Sequence, residues 1–536
     1  MQPTKVALLC AALTGAPLAY SSEGDFSRRC ADLKNADLYH TQLKSADYVE
    51  NGVIPADPNS AITGSTVRDV KTGAHCVVKA EIEPRTGANG LHYGINYEFR
   101  LPQQWNGKFL FQGGGGANGF VAAAVGSIPS SNSSAKSAIE RGYAVVSMDS
   151  GHATYTPGIA VGSDMAFAGD QQARLDYAYA AIGKVTQQAK TLINALYQKK
   201  PIHSYFMGCS NGGREAMIAA QRYPNEFDGV VVGNAAFRLS RASINSAFIQ
   251  RALVIATPAD TDGQKNTANL LTADDLRVLQ KGILKQCDAK DGLEDDIINA
   301  WEQCDFRPDM VEKELGKEKA ELVKTIFSGA RNNRGEALYS AFPYHSSLTD
   351  PEWIESWFGK DFGASSSMNA TLMVPFLLSY FSQPAIAELA AFDFDRDVTR
   401  TQSTRSLTDA DSPDLSTFRA NGGKMVIFEG TADPFFSAFD QRDWFIEMDQ
   451  IMGNAQEFAR LFTVPGLAHC SGGNALDDFD PLTTLENWRE KGEVPEFMLA
   501  KGSKFFAEKT QPVCAYPKVA MYKGGDKNKA QSFECR

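Results

Sequence analysis

Zinc-type ligand spacing is missing from this sequence. None of its nine cysteines opens a CxxC or CxxH step, and only seven histidines occur in 536 residues. A structural zinc site is thereby excluded. Positive charge is also short: 53 Lys and Arg stand against 64 Asp and Glu, a net charge of −11. A surface of that sign repels phosphate backbones and anionic lipid heads, which excludes nucleic acid and membrane surfaces as partners. Past the N-terminus no apolar run is long enough to cross a bilayer, and no repeat or low-complexity tract occurs. What is present is 43% hydrophobic and 22% charged residues, close to the globular average. The length predicts one large domain with an insertion, or two to three domains.

Residues 1–22 read as an export signal, with Lys5 at the positive end, Val6 to Leu13 as a short apolar core and small residues from Ala16 to Ser21. A buried N-terminal strand or helix is the alternative. Export explains the cysteines: with Cys10 removed, eight remain, an even number suited to pairing in an oxidising compartment, extracellular or, in a bacterium, periplasmic. The sequons at Asn132 and Asn369 would carry glycans in a eukaryotic host.

Up to about Ala80 polar and small residues alternate without a clear period. Strand-like runs follow at 95–101, 108–111 and 144–148, and a helical pattern at 171–199. A strand at 204–208, a helix at 212–222 and a strand at 229–233 continue the alternation, which implies a parallel sheet. From about Arg238 to Asp397 the rhythm is lost. It resumes with strands at 424–428 and 461–464 around a helix near 441–452. A single sheet interrupted by about 160 residues fits this pattern.

Gly208-Cys209-Ser210-Asn211-Gly212 stands between a strand and a helix. Such a turn exposes the serine hydroxyl, its glycines permit the tight backbone, and the helix start offers amide donors to an oxyanion. An ordinary helix start capped by Ser210 is the plainer alternative. The architecture places an acid and then a histidine after later strands. Asp433 follows 424–428 and His469 follows 461–464, and His469 is the only histidine after the resumed strands. Glu429 is too close to its strand end and Asp440 falls on the next helix. His152 precedes the nucleophile and reads as a satisfied turn residue. Cys209 precedes Ser210 and Cys470 follows His469. A bridge between them would tether nucleophile and base across about 260 residues of chain, worth up to about 5 kcal/mol by loop entropy.

Cys-Ser in the elbow, a later Asp, and His-Cys together resemble the tannase and feruloyl esterase family of α/β-hydrolases. Relatives of that family include mono(2-hydroxyethyl) terephthalate hydrolases. The similarity extends to Gly113–Gly119, Gly208–Arg214, Cys287–Gly292, Gly422–Lys424 and Pro465–Gly473, over nearly the whole mature chain. It implies an α/β-hydrolase core in two parts, 23–237 and 398–536, around a lid at 238–397. Ser210 would be the nucleophile, His469 the base and Asp433 its orienter, with the Gly116 and Asn211 amides as the oxyanion hole. No GK[ST] follows Gly113–Gly119, so a phosphate cradle fails there.

Residues 288–296 crowd five acids into nine positions. By itself this is either a solvated acidic loop or a hard-cation site. The resemblance implies a structural calcium ion held by the Asp288, Asp291 and Asp295 side chains and the Leu293 and Ile297 carbonyls, with Cys287 bridged to Cys304. Proximity suggests the other pairs, Cys30 with Cys76 and Cys514 with Cys535. The terephthalate-monoester hydrolases hold a free carboxylate with a lid arginine, but no arginine lies between Arg334 and Arg396 here; the stretch reads Ser365-Ser366-Ser367-Met368-Asn369-Ala370. Trp357, Phe358, Phe362, Leu372, Phe376 and Phe436 would serve either as an apolar wall for an aromatic acyl group or as lid core. The leading expectation is a secreted serine esterase for small aromatic (phenolic) acid esters. An esterase of specialised metabolism, a serine peptidase and a non-catalytic scaffold are the alternatives.

Overall fold

Phe109-Leu110-Phe111 and Val230-Val231-Val232 are apolar at every position, as a strand covered on both faces requires. In a computed structural model describing residues 23–63, 67–128, 132–258 and 266–536, they lie inside a nine-stranded mixed sheet. The expected export signal lies outside the described residues. The strands are β1 (Thr41–Val49), β2 (His75–Thr86), β3 (His92–Pro102), β4 (Lys108–Gln112), β5 (Ala144–Met148), β6 (His203–Cys209), β7 (Gly229–Gly233), β8 (Lys424–Gly430) and β9 (Ala459–Val464). Their spatial order is β1-β2-β3-β5-β4-β6-β7-β8-β9. The first three strands and β5 pair antiparallel, and from β5 through β9 every pairing is parallel.

Two-residue periodicity divides the core between the faces. Phe109, Phe111, Val230, Val232, Met425 and Ile427 join one cluster, while Leu110, Val231, Val426 and Phe428 join the other. Helices α1 (Ala181–Tyr197) and α2 (Asn211–Arg222) add their apolar faces to the first cluster.

Two local expectations need correction. No strand was expected before residue 95, yet β1 and β2 are nine and twelve residues long. β1 is an edge strand with only Ala46 of its nine residues buried, so its stability comes from pairing with β2 more than from an apolar pattern. The single helix expected over 171–199 is interrupted by a wider π turn at Asp176–Ala180. Its cause is tertiary: the Arg214 guanidinium donates to the Tyr177 and Ala178 carbonyls, at 3.0 and 2.8 Å, taking acceptors out of the regular ladder.

Between β7 and β8 the described residues form helices, among them α3 (Leu239–Ala256), α4 (Ala273–Cys287), α5 (Lys317–Phe327) and α6 (Pro351–Phe358), and no ladder strand. Their apolar faces share one cluster with Ala117, Ala236, Phe435 and Phe436, residues of the sheet's carboxyl-end loops, and with Tyr177 of the π turn. This helical segment therefore packs on the rim where the loops after β4, β7 and β8 gather. Asn369 is fully buried in it, so that sequon cannot carry a glycan on the folded chain, whereas Asn132 is exposed. No helix of the described residues is long and apolar enough to cross a membrane.

Candidate active site

Chain order delivers the expected residues to one edge of the sheet. Ser210 follows β6, Asp433 comes three residues after β8, and His469 five after β9. These are carboxyl ends of parallel strands, where open α/β sheets place their ligands. Ser210 adopts φ +61° and ψ −126°, a left-handed conformation strained for a residue with a Cβ. It is held there by its own N–H to the Gly233 carbonyl and by its carbonyl accepting from Arg214 and Ala236, at 3.0 to 3.1 Å. Gly208 is required by proximity, since a Cβ there would stand 2.5 Å from the Gly212 backbone.

Asp433 is buried and uses both oxygens twice. Oδ1 accepts from the Phe435 and Phe436 amides at 2.7 and 3.0 Å, and Oδ2 accepts from His469 Nδ1 and Asn234 Nδ2, both at 2.7 Å. Because Oδ2 can only accept, Nδ1 of His469 carries the proton and Nε2 is left as the basic atom. Burial by itself would lower the His469 pKa, but the charge and hydrogen bond of Asp433, with Glu352 adding to them, raise it above 6.5. The Phe435 and Phe436 rings flank the imidazole at 5.1 and 5.5 Å. A disulfide joins Cys209 to Cys470, Cα atoms 6.1 Å apart, so the residues next to Ser210 and His469 are covalently linked. The other disulfides are Cys30–Cys76, Cys287–Cys304 and Cys514–Cys535.

In the turn 113–119 the amides of residues 113, 114, 117, 118 and 119 each have an acceptor, and those of Gly115 and Gly116 have none among the described residues. Gly115 is buried and Gly116 is the more accessible. Gly116 also needs its glycine, having φ +52° and space for a Cβ only 2.4 Å from the Gly162 oxygen. The Asn211 amide begins α2, where main-chain N–H groups lack intrahelical partners.

The rivals fall elsewhere. Glu429 is fully buried within β8 with neither carboxylate oxygen partnered among the described residues, and Asp440, in the first turn of α7 (Ala438–Met452), pairs with Arg238 at 2.8 Å. His152 corrects the expectation of a satisfied turn histidine: it is a packing residue, stacked 3.9 Å from Phe167, with no hydrogen bond at either ring nitrogen among the described residues. Burial pushes its pKa down to about 4.

Trp357 is fully buried, its indole N–H donating to the Pro434 carbonyl at 2.7 Å, and thus fastens α6 to the loop that carries Asp433. Phe358 and Phe376 are buried in the helical segment, Leu372 nearly so, and Phe362 is half-buried.

Three residues near the site went unread in the sequence. Asn234 bridges Asp433 and the Ala468 carbonyl, at 2.7 and 3.2 Å, and its place directly after β7 was the available signal. Phe435 was passed over for its neighbour Phe436. Glu352, on α6, faces His469, and burial pushes its carboxyl up to about 8 against the pull of that histidine; a glutamate at the start of a helix gave no sign of this.

In the acidic loop Asp288, Asp291 and Asp295 are buried. Asp291 accepts from Leu293 and Asn299, and Asp295 pairs with Lys509 at 2.8 Å. Asp288 Oδ2 accepts from the Asp296 amide, while its Oδ1 is buried without a partner. Among the described residues no three or more His, Cys, Asp or Glu side chains are drawn together as a metal site.

A parallel sheet with an elbow serine, a carboxylate–histidine pair and a helical segment over its carboxyl edge is the α/β-hydrolase fold. Within that class, a family model described as "Tannase and feruloyl esterase" matches residues 76–536, and the chain belongs to this family of carboxylic ester hydrolases. The mono(2-hydroxyethyl) terephthalate hydrolase of Piscinibacter sakaiensis is 35% identical over 514 residues, covering 86% of this chain and 84% of the relative. A probable feruloyl esterase of Arthroderma benhamiae is 28% identical over 492 residues, covering 83% and 84%. Among solved structures, feruloyl esterase B from Aspergillus oryzae superposes with a TM-score of 0.78 at 22% identity, covering 95% of this chain and all of that one. Tannin acyl hydrolase from Aspergillus niger gives 0.70 at 19%, covering 96% and 94%.

Proposed function

We propose that this chain is a secreted serine esterase that cleaves esters of aromatic, phenolic acids through Ser210, His469 and Asp433. The carrying observation is the joint geometry of the elbow and base: Ser210 in a left-handed turn, His469 oriented by Asp433 at 2.7 Å, and a disulfide between their neighbours. Ser210 Oγ attacks the ester carbonyl carbon and passes its proton to His469 Nε2. The carbonyl oxygen, now an anion, accepts from the Gly116 and Asn211 amides. Collapse breaks the bond to the alcohol, which leaves with the proton from His469. Water, deprotonated by the same nitrogen, then hydrolyses the acyl-enzyme.

The helical segment serves as a lid in this reading, with Phe435 and Phe436 beside the imidazole as the nearest apolar surface for an aromatic ring. A terephthalate monoester carries a free carboxylate and calls for a cation. Arg334 and Arg396, which bound the arginine-free stretch, are spent on Glu336 and Asp397. Uncharged aromatic acyl groups are therefore favoured. Four disulfides support an oxidising compartment.

The reading includes a structural calcium ion. The unpartnered Asp288 Oδ1, buried among carboxylates, fits a hard cation with oxygen ligands. Asp288, Asp291 and Asp295, with the Leu293 and Ile297 carbonyls, would hold it, and Lys509 would have to release or share Asp295. When bound, the ion supplies positive charge to the loop.

Purified protein tested on methyl ferulate, methyl gallate, chlorogenate and mono(2-hydroxyethyl) terephthalate decides the substrate class, with casein as the peptidase control. Turnover of the neutral aromatic esters well above the terephthalate monoester is expected. Ser210→Ala should lose roughly five to six orders of magnitude in kcat; substantial turnover by that variant sinks the triad, and casein cleavage makes it a peptidase.

A further inference from the structure

Behind the elbow and the glycine turn lies a buried polar network that the triad does not use. One atom fixes its orientation. Arg214 Nε can only donate, so the Asn211 atom it meets at 2.7 Å is the amide oxygen. Asn211 Nδ2 therefore donates, to Asn118 Oδ1 at 2.6 Å and to Glu215 Oε1 at 3.3 Å. Asn118 in turn directs its Nδ2 at Glu215 Oε1, 3.1 Å away, and at Ser150 Oγ. The Ser150 hydroxyl, facing that donor, passes its own hydrogen to Glu215 Oε1 at 3.1 Å. The Gly114 N–H reaches Oε2 at 2.9 Å. Every partner of Glu215 is thus a donor, as an ionised carboxylate requires. The group is 1% exposed, with the fully buried Arg214 beside it in the chain.

These bonds reach two separate pieces of backbone. Gly114 and Asn118 belong to the turn that carries Gly116, and Asn211 is the first residue of α2. The two pieces touch, since a Cβ on Gly212 would stand 2.6 Å from the Gly114 oxygen. One carboxylate therefore clamps both sources of oxyanion donors from behind.

We propose that Glu215 is a positioning residue of the oxyanion hole, setting the separation of the Gly116 and Asn211 amides. The proposal rests on the reading of Ser210 as nucleophile. Both donors must meet one oxygen at about 2.7–3.1 Å, and a shift of the turn by a fraction of an ångström spoils one of them. Glu215→Gln replaces one acceptor oxygen by an NH2 that confronts donors. Asn118→Asp keeps the side-chain shape, suits the left-handed φ of +50° at this position, and sets a second carboxylate against Glu215.

The test uses the full chain and both variants, labelled to completion with a fluorophosphonate, with the labelled residue identified by peptide mapping. For each, kcat is expressed per labelled site, alongside KM, melting temperature and the dissociation constant of phenylboronic acid, which forms a tetrahedral adduct on the serine. A loss of about ten- to a hundred-fold in kcat per labelled site is expected, with KM within about twofold and boronate weakened by the same factor. Wild-type kcat per site and wild-type boronate affinity in either folded variant, whatever its melting temperature, overturn the proposal. Label on a residue other than Ser210 overturns the nucleophile reading instead.

Discussion

Two acidic clusters in this protein are each closed by a disulfide, and they treat their carboxylates differently. At the sheet edge, Cys209–Cys470 closes a separation of 261 residues around Asp433, which accepts four hydrogen bonds from protein donors. In the helical segment, Cys287–Cys304 closes only 17 residues around the loop in which Asp288 Oδ1 has no partner. A carboxylate satisfied from within is fixed and can orient a base. One with an open, buried oxygen is unfavourable alone and would gain from the cation proposed for it.

The largest effect should come from opening the longer bridge. Cys209→Ser with Cys470→Ser removes a constraint worth up to about 5 kcal/mol by loop entropy, against about 3 kcal/mol for the shorter loop. Mild reduction should abolish ester turnover before the near-ultraviolet dichroism of the core is lost, and retained activity in the double variant would show that packing alone holds His469. Next comes the ion. Chelation should lower stability by about 2.7 kcal/mol if calcium stands at a hundred times its dissociation constant, while the rate per folded molecule at low temperature stays nearly unchanged. Melting curves with and without chelator, beside elemental analysis, decide this: a metal-free sample with no shift leaves an ordinary acidic loop. Asn234→Ala removes one charge-assisted bond to Asp433, worth about 2 kcal/mol, and should lower kcat about thirty-fold with KM little changed. A wild-type kcat would mean that the Phe435 and Phe436 amides suffice to fix the carboxylate.

Legibility followed the same division. The parallel strands were readable because burial on both faces leaves runs such as Val230-Val231-Val232, and Ser210, Asp433 and His469 could be placed because each follows one of them. β1 was not readable, since an edge strand is specified by its partner. Nor was the π turn at Asp176–Ala180, whose carbonyls are held by an arginine 36 and 37 residues away in sequence. Asn234, Glu215 and Glu352 are polar residues whose surroundings are assembled from segments far apart in sequence. His152 was misjudged because a glycine beside a histidine suggests a turn, whereas Phe167 decides its environment.

The smallest effect, and the sharpest on the comparison, concerns Glu352, whose charge is coupled to that of His469 and Asp433. Burial chiefly, then Asp350, Asp433 and Glu355, hold its pKa up near 8, and His469 opposes them. A glutamate whose pKa is raised on folding binds its proton more tightly in the native state. Its stabilising contribution is complete below the ordinary value of 4.5 and is lost as pH rises toward about 8. Glu352→Gln should therefore gain melting temperature relative to wild type as pH increases across that window, and show little difference below it. The same substitution removes one of the influences that raise the His469 pKa. Turnover needs neutral imidazole, so the acidic limb of kcat/KM follows the raised pKa of His469, and it should move to lower pH in the variant only so far as Glu352 has lost its proton in that range. A limb that stays in place while the melting curves shift would confine Glu352 to stability. If neither moves, the carboxyl is too well solvated to act on the histidine it faces.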